Sequence, residues 1–215
     1  AGKHTEAPNV HTEPIYATSA YLFEDADDAM RKLSDKRLGY VYSRWANPTV
    51  DQAAEKIAAL EGFEAGTLTF AQLISSGMAA IASVMLATCK AGDKILTQTQ
   101  LYGTTDELMQ SLLPEYAIET RSTDMTDLSK VAEILHADHR IKLIYLETPS
   151  NPLIQLVDIR AIVQLAAKYH IKVAVDNTFC TPLVQQPLAM GADFSIHSTT
   201  KFLNGHGTAL GGAVV

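Results

Sequence analysis

The residues best suited to chemistry lie near the end of the chain. Asp176 ends one apolar run, Lys201 comes shortly after the next, and Ser198 and Thr200 place hydroxyl groups beside that lysine. If the two runs are neighbouring strands of a parallel sheet, the acid and the amine can address two different atoms of one planar cofactor. Pyridoxal 5'-phosphate requires an amine for its aldehyde, an anion for its ring nitrogen and donors for its phosphate. The stretch therefore predicts a site for this cofactor, although Asp176 alone could be a cap and most lysines are solvated surface groups.

A turn earlier in the chain is a candidate anion site. Ser76, Gly77 and Met78 follow an apolar run and begin a helical segment. Free N–H groups and the helix dipole favour anions at such a terminus, and Gly77 permits a close approach. An ordinary strand-to-helix turn has the same features, so the turn by itself leaves both interpretations open.

Other polar and aromatic residues could complete the site. Tyr102 begins a helical segment after a third apolar run, where its ring could stack on a planar group, although a core tyrosine is the commoner outcome. Tyr42 and Arg44 share one side of an extended loop, because alternate residues point the same way. A phenol and a guanidinium together suit a phosphate, whereas a surface arginine is more often only solvated. Glu147 and Asn151 lie at and just beyond a strand end and could face the same cleft.

The elements that must position these residues alternate between strand and helix. Apolar runs predict strands at about 67–74, 94–98, 117–121, 141–147, 172–176, 193–197 and 211–215. Helical spacing predicts segments near 24–33, 48–60, 77–88, 103–113, 126–137, 158–169 and 182–190. This alternation indicates an α/β fold, with a mostly parallel seven-stranded sheet and helices on both faces. Ligands bind at the carboxyl ends of such strands, which is where Asp176 and Lys201 fall.

The N-terminal part has a different character. Residues 1–20 lack a helical period and contain Pro8 and Pro14, which predicts an extended arm that packs on another surface, a second subunit being one option. Asn47 and Pro48 fit an N-cap followed by proline at the first helical position. We therefore expect an arm and loop over residues 1–47 and a cofactor-binding domain over residues 48–215.

The composition limits the possible partners and location. The chain has 215 residues, of which 47% are apolar and 19% charged, and its length suits one large domain. A net charge of -7 argues against a nucleic-acid partner. The sequence has no bilayer-spanning run or apolar signal core, and Cys89 and Cys180 do not make a disulfide framework, so a cytoplasmic location is expected. No His/Cys spacing indicates a metal site, and Cys180, His197 and His206 are interpreted as structural.

Six segments, in this order, resemble the Cys/Met-metabolism family of pyridoxal-phosphate enzymes. They are Tyr42-Ser-Arg44 with Asn47-Pro-Thr, Ser76-Gly-Met-Ala-Ala, Leu101-Tyr-Gly, Glu147-Thr-Pro-Ser-Asn-Pro, Val175-Asp-Asn-Thr-Phe and Ser198-Thr-Thr-Lys201. The resemblance runs from about Pro14 to the end of the chain. It implies the large domain of the aspartate-aminotransferase-like type I fold of pyridoxal-phosphate-dependent transferases.

The resemblance also implies residue roles and an assembly. In the family, the lysine matching Lys201 forms a Schiff base with the cofactor aldehyde, the acid matching Asp176 pairs with the ring nitrogen, and Tyr102 stacks on the ring and takes part in catalysis. Residues matching Tyr42 and Arg44 reach the phosphate of a neighbouring subunit, in homotetramers built from dimers. The implied cofactor-binding set is Tyr42, Arg44, Ser76, Gly77, Met78, Tyr102, Asn151, Asp176, Thr178, Ser198, Thr200 and Lys201.

The motifs are most similar to those of O-succinylhomoserine and O-acetylhomoserine sulfhydrylases. This implies replacement of the γ-substituent of an O-acylhomoserine by sulfide or a thiol. Cystathionine γ-synthase, cystathionine γ-lyase and methionine γ-lyase activities stay open as alternatives, the last usually having a cysteine where this chain has Thr104. Family members are longer, and their C-terminal domain, with the arginine that binds the substrate carboxylate, is expected to be absent here. A truncated cofactor-binding scaffold is the further alternative.

Overall fold

The computed structural model describes residues 11–66 and 68–215, except the side chain of Lys36. The residues up to Lys56 form one compact unit, and Ile57–Val215 form a second. The α-helices are α1 (Ala26–Ser34), α2 (Pro48–Glu61), α3 (Gly77–Thr88), α4 (Gly103–Glu107), α5 (Leu128–Ala137), α6 (Ile159–Ala167) and α7 (Thr181–Val184). The strands are β1 (Gln72–Ile74), β2 (Lys94–Gln98), β3 (Glu119–Thr123), β4 (Ile141–Glu147), β5 (Lys172–Asp176), β6 (Phe194–His197) and β7 (Gly212–Val214). In the part of the chain described, no helix is long and apolar enough to cross a bilayer.

The first unit is held together by side chains that bond the N-terminal segment to the start of α2. Asn47 accepts the N–H of Thr49 at 2.9 Å and donates to the carbonyl of Tyr16 at 3.0 Å. The N–H of Tyr16 in turn donates to the Thr49 hydroxyl at 2.9 Å. The predicted cap at Asn47, with Pro48 opening the helix, is confirmed. Residues 1–10 of the predicted arm lie outside the described residues.

The second unit is built on the predicted seven-stranded sheet. The strand order is β1-β7-β6-β5-β4-β2-β3. Strand β7 runs antiparallel to both of its neighbours, β1 and β6, and the other paired strands are parallel. The mostly parallel α/β architecture is therefore confirmed. Strands β4, β5 and β6 lie side by side, so that their carboxyl ends share one edge of the sheet.

Helices cover both faces of this sheet because its central strands are apolar on both sides. Ile144 and Leu146 pack in one core with α5 and α6, whereas Leu143 and Tyr145 pack in the other with α3. Successive residues of a strand point to opposite faces, so a strand with two buried faces is a continuous apolar run.

Two predicted helices are shorter than expected, and a proline accounts for the second. The segment predicted at 103–113 leaves α-geometry after Glu107 and continues as a π-turn and a 3₁₀-turn that contains Pro114. The segment predicted at 182–190 divides into α7 and a short 3₁₀-turn that follows Pro187. Proline has no N–H for the i→i−4 bond and disfavours helical geometry in the residue before it.

Candidate cofactor site

The carboxyl ends of β4, β5 and β6 bring the candidate residues together. Asp176 ends β5 and is in register with Glu147, the last residue of β4, on one side and with Ile196 of β6 on the other. The chain leaves β6 at His197 and turns through Ser198 to Lys201, whose N–H donates to the Ser198 carbonyl at 3.1 Å. The acid and the lysine therefore belong to neighbouring strand ends.

These ends enclose a cavity of about 250 Å³. Of the twelve cofactor-binding candidates, all except Tyr42 and Arg44 line it. Its lining consists of Ser76, Gly77, Met78, Ile81, Tyr102, Glu147, Pro149, Asn151, Asp176, Thr178, Phe179, Ser198, Thr200, Lys201 and Leu210.

The Asp176 carboxylate is held by donors on both oxygens. Oδ1 accepts the N–H of Thr178 at 3.0 Å, and Oδ2 accepts the phenol of Tyr145 at 3.2 Å. Burial raises the pKa of the Asp176 carboxyl, while the Thr178 bonds, the nearby His197 and the Tyr145 phenol lower it. Loss of hydration disfavours a lone buried charge, so a cation placed against this carboxylate would restore part of its stabilisation.

The predicted anion turn lies directly against the segment that carries the lysine. Ser76 caps α3, its hydroxyl accepting the N–H of Ala79 at 3.1 Å. Gly77 is buried, and a Cβ placed on it would lie only 2.5 Å from the Cβ of Ser198. The start of a twelve-residue helix and the Ser198 loop thus approach to a distance that only glycine permits.

The segment around Lys201 is tied to β7 and to the loop after β5. Thr200 Oγ1 donates to the Gly211 carbonyl at 3.2 Å and accepts its N–H at 3.1 Å. Ser198 donates its N–H to the hydroxyl of Thr178 at 2.8 Å. The Lys201 side chain lines the cavity yet is exposed to solvent, which leaves its amine accessible to an entering molecule.

Glu147, the last residue of β4, also lines the cavity. Its carboxylate accepts the N–H of Asn151 at 2.8 Å and the N–H of Tyr102 at 2.9 Å. Burial is the main reason that its pKa rises to about 7, with the charge of Asp176 adding to the effect.

Tyr42 and Arg44 belong to the first compact unit. The Arg44 guanidinium lies 5.3 Å from the centre of the Tyr42 ring, a cation–π arrangement that keeps both side chains together. The role of this pair in phosphate binding stays a prediction.

Sequence reasoning missed two buried side chains that bond to residues on the neighbouring strands β5 and β6. One is Tyr145, whose phenol reaches Asp176 across the sheet, and strand alternation could have indicated that it points to the same face as Glu147. The other is the fully buried Glu61, which accepts bonds from three side chains. Its Oε1 lies 2.9 Å from Asn177 Nδ2, 2.6 Å from Ser195 Oγ and 2.5 Å from His197 Nε2. These bonds agree with the structural interpretation of His197.

Across the described ranges, no group of three His, Cys, Asp or Glu side chains is arranged to hold a metal ion.

The chain matches, over residues 1–215, the sequence profile described as Cys/Met metabolism PLP-dependent enzyme. The chain belongs to this family. Its predicted dependence on pyridoxal phosphate is thereby confirmed at the level of the family.

Similar proteins in this family have more than one described activity. An L-methionine gamma-lyase of Fusobacterium nucleatum subsp. polymorphum is 42% identical over 203 residues, covering 94% of this chain and 50% of that protein. An O-succinylhomoserine sulfhydrylase of Pseudomonas aeruginosa is 39% identical over 214 residues, covering 100% of this chain and 51% of that protein. The chain spans about half the length of the curated relatives it matches.

A solved member of the family has the same fold. This crystal structure, described as an O-acetylhomoserine (thiol)-lyase of Campylobacter jejuni, has a TM-score of 0.89 and 35% identity, and it covers 100% of this chain and 51% of that one. It contains N'-pyridoxyl-lysine-5'-monophosphate, which is a pyridoxal-phosphate group attached to a lysine.

The residues of this chain fit the cofactor of the family. The cavity presents an amine, a carboxylate, hydroxyls and main-chain N–H groups, the functional groups that pyridoxal phosphate requires. Close packing around the Ser76–Gly77 turn depends on two glycines, since a Cβ on Gly77 would strike Ser198 and one on Gly212 would lie 2.1 Å from the Ser76 carbonyl oxygen.

Proposed function

We propose that this chain is the cofactor-binding large domain of an enzyme that performs γ-replacement on an O-acylhomoserine. The observation that carries the proposal is the single cavity in which Lys201, Asp176 and the Gly77 turn meet at neighbouring strand ends. The family profile and the sulfhydrylase relatives support the substrate class.

Each residue has a distinct task in this proposal. Lys201 supplies the amine for the cofactor aldehyde, and Asp176 supplies the anion that keeps the ring nitrogen protonated. The N–H groups of Gly77 and Met78 and the hydroxyls beside Lys201 hold the phosphate; those hydroxyls belong to Ser198 and Thr200. When bound, pyridoxal phosphate supplies an electron sink for the carbanion formed at the substrate α-carbon.

The chain's own groups would then move the protons. The Lys201 amine, when it does not hold the cofactor, would remove the α-proton of the substrate and later transfer the β-proton. The Tyr102 phenol would be the second acid–base group. Asn151, bonded through its N–H to Glu147, would contact the cofactor, and Thr178 holds both Asp176 and the Ser198 loop.

A methionine γ-lyase is the second candidate. Relatives with this description reach 42% identity, compared with 39% for the sulfhydrylase. Thr104 favours the sulfhydrylase, because the lyases usually have cysteine at the matching position. Cystathionine γ-synthase and cystathionine γ-lyase would use the same cofactor site with other substrate contacts.

The assembly and domain division are also proposals. We expect residues 1–47 to reach a neighbouring subunit, where Tyr42 and Arg44 would contact the cofactor phosphate, and residues 48–215 to form the cofactor-binding domain. A cytoplasmic homo-oligomer, arranged as a dimer of dimers, follows from the family resemblance. The smaller domain that binds the substrate carboxylate would lie outside this chain.

Covalent trapping tests the cofactor site. The chain is incubated with pyridoxal phosphate, reduced with borohydride, digested and mapped by mass spectrometry. We expect the pyridoxyl group on Lys201 and its loss in Lys201→Ala. Lys168→Ala, which removes an exposed lysine at the end of α6, is the matched control and should retain full labelling. Unchanged labelling in Lys201→Ala would show that another lysine holds the cofactor.

Product analysis tests the reaction. The chain, loaded with cofactor, is supplied in turn with O-succinylhomoserine or O-acetylhomoserine plus sulfide, with cystathionine and with methionine. Homocysteine from an acylated substrate supports γ-replacement, whereas methanethiol from methionine supports the lyase. Cofactor binding without any product would favour the scaffold alternative.

A further inference from the structure

Glu147 joins two loops that carry residues of the proposed cofactor site. Each of its carboxylate oxygens accepts one main-chain N–H. Oε1 accepts the N–H of Asn151 at 2.8 Å, and Oε2 accepts the N–H of Tyr102 at 2.9 Å. Tyr102 follows β2, and Asn151 follows β4. One side chain therefore fixes the main chain of both loops at the same edge of the sheet.

The position of Glu147 itself is fixed from the neighbouring strand. Gln98, the buried last residue of β2, donates from Nε2 to the Glu147 carbonyl at 2.8 Å and accepts the Glu147 N–H at 3.0 Å. Glu147 is only 7% exposed. Such a doubly bonded backbone leaves the carboxylate little freedom to leave its two partners.

The surroundings of Glu147 make its charge costly. Asp176, in register on β5, places a second carboxylate beside it. The other titratable groups facing it are the phenols of Tyr145 and Tyr102 and the amine of Lys201, which lines the same cavity. No lysine or arginine forms an ion pair with Glu147 among the residues that the structure covers.

We propose that Glu147 is a positioning residue that sets Tyr102 and Asn151 over the cofactor ring, and that it does so fully only as the carboxylate. An ionised carboxylate accepts at both oxygens, whereas a protonated one becomes a donor at one of them. Protonation would thus remove the charge assistance from both bonds and leave one of the two N–H groups facing a hydroxyl donor. This inference rests on the proposed cofactor site, since it assigns a function to the two loops that Glu147 joins.

The pKa of Glu147 lies near neutral pH. Burial raises its pKa to about 7, against the opposing effect of the two main-chain N–H groups. Both protonation states are therefore populated near neutral pH in the cofactor-free chain. In local openings that leave Glu147 buried, the two loops are expected to be held more firmly on the alkaline side of that range than on the acidic side, because the two N–H bonds favour the carboxylate. Global unfolding hydrates the carboxylate and therefore has the opposite pH dependence.

Hydrogen exchange resolved at single amides tests this in the cofactor-free chain. We expect the protection of the Tyr102 and Asn151 amides, corrected for intrinsic exchange, to fall in the native chain when pH drops from above to below a pKa of about 7. Glu147→Gln keeps the shape but turns an NH₂ group toward one of the two donors. It should reduce protection of one amide about tenfold on the alkaline side, the equivalent of one bond to a charged group, and abolish the pH dependence.

A matched control excludes a general effect of losing a glutamate. Glu119 lies on β3 with a side chain that is 61% exposed, so Glu119→Gln should leave both amides unchanged. Equal, pH-independent protection of the two amides in the native chain and in Glu147→Gln would overturn the proposal. The pH series on the native chain decides the question even if the variant folds poorly.

Cofactor binding supplies the second measurement. Equilibrium dialysis should show that pyridoxal phosphate binds Glu147→Gln about tenfold more weakly than the native chain. One loop is then less well ordered in the free variant, so cofactor binding must also order that loop. Equal affinity would overturn the role of Glu147 while trapping on Lys201 still supports the cofactor site. Absence of trapping in the native chain would instead refute the proposed function, and the exchange experiment would still decide what Glu147 holds.

Discussion

Gly77→Ala is expected to open the phosphate side of the cavity by a calculable distance. The added Cβ would lie 2.5 Å from the Cβ and 2.9 Å from the Cα of Ser198, whereas ordinary contacts begin at 3.4 Å. The start of α3 and the Ser198 loop must therefore separate by roughly 1 Å. That movement pulls on the bond from the Ser198 N–H to Thr178 and, through the Ser198 carbonyl, on the N–H of Lys201.

The magnitude follows from the cost of overpacking. Adding one carbon to a closely packed contact costs about 1–3 kcal/mol, and the better helix propensity of alanine returns at most about 1 kcal/mol. We expect a net loss of about 1–2 kcal/mol in the free energy of unfolding, measured with urea. The affinity for pyridoxal phosphate should fall about tenfold or more, since the phosphate donors lose their alignment.

Gly103 provides the matched control for this substitution. Like Gly77 it is the first residue of a helix, but a Cβ on it would meet no atom within 4 Å. Gly103→Ala should unfold at the same urea concentration as the native chain, or slightly higher. If Gly77→Ala behaves in the same way and binds the cofactor normally, the close approach of Gly77 and Ser198 does not shape the site.

Three further predictions concern the buried side chains of Tyr145, Glu61 and Glu147. Tyr145→Phe removes the phenol that donates to Asp176, so the pKa of Asp176 should rise further and dialysis should show about tenfold weaker cofactor binding, with no change if that bond is unimportant. Glu61→Ala removes the carboxylate that bonds to three buried side chains and should lower the free energy of unfolding by about 3 kcal/mol in urea, whereas Glu55→Ala, at an exposed position of the same helix, should change it little. For Glu147 the folded pKa of about 7 lies above the ordinary value of 4.5, so the folded chain binds the proton more tightly. Relative to Glu147→Gln, the native chain should lose about 3 kcal/mol of stability as pH rises through that interval, and parallel pH profiles of unfolding would contradict the shifted pKa.

The sequence by itself determined the architecture of the second unit because its signals are local. The apolar runs that predicted β2, β4 and β5 are found at the predicted residues, because a strand buried on both faces is a mostly apolar run. The order of strand and helix then required Asp176 and the segment before Lys201 to end at the same edge of the sheet. The effect of Pro187 on the helix predicted at 182–190 is also local, but hydrophobic periodicity alone does not predict it.

Contacts between distant parts of the chain were decided only by the tertiary structure. Glu61 meets His197 across 136 positions, and no local pattern links a helix end to a strand end so far away. The bond from the Tyr102 N–H to Glu147 likewise depends on the β2–β4 pairing, which brings residues 45 positions apart into contact. The sequence predicted the side chains that line the candidate site because their chemistry suits the cofactor. The groups that hold them in place could be identified only when the sheet had brought their partners within reach.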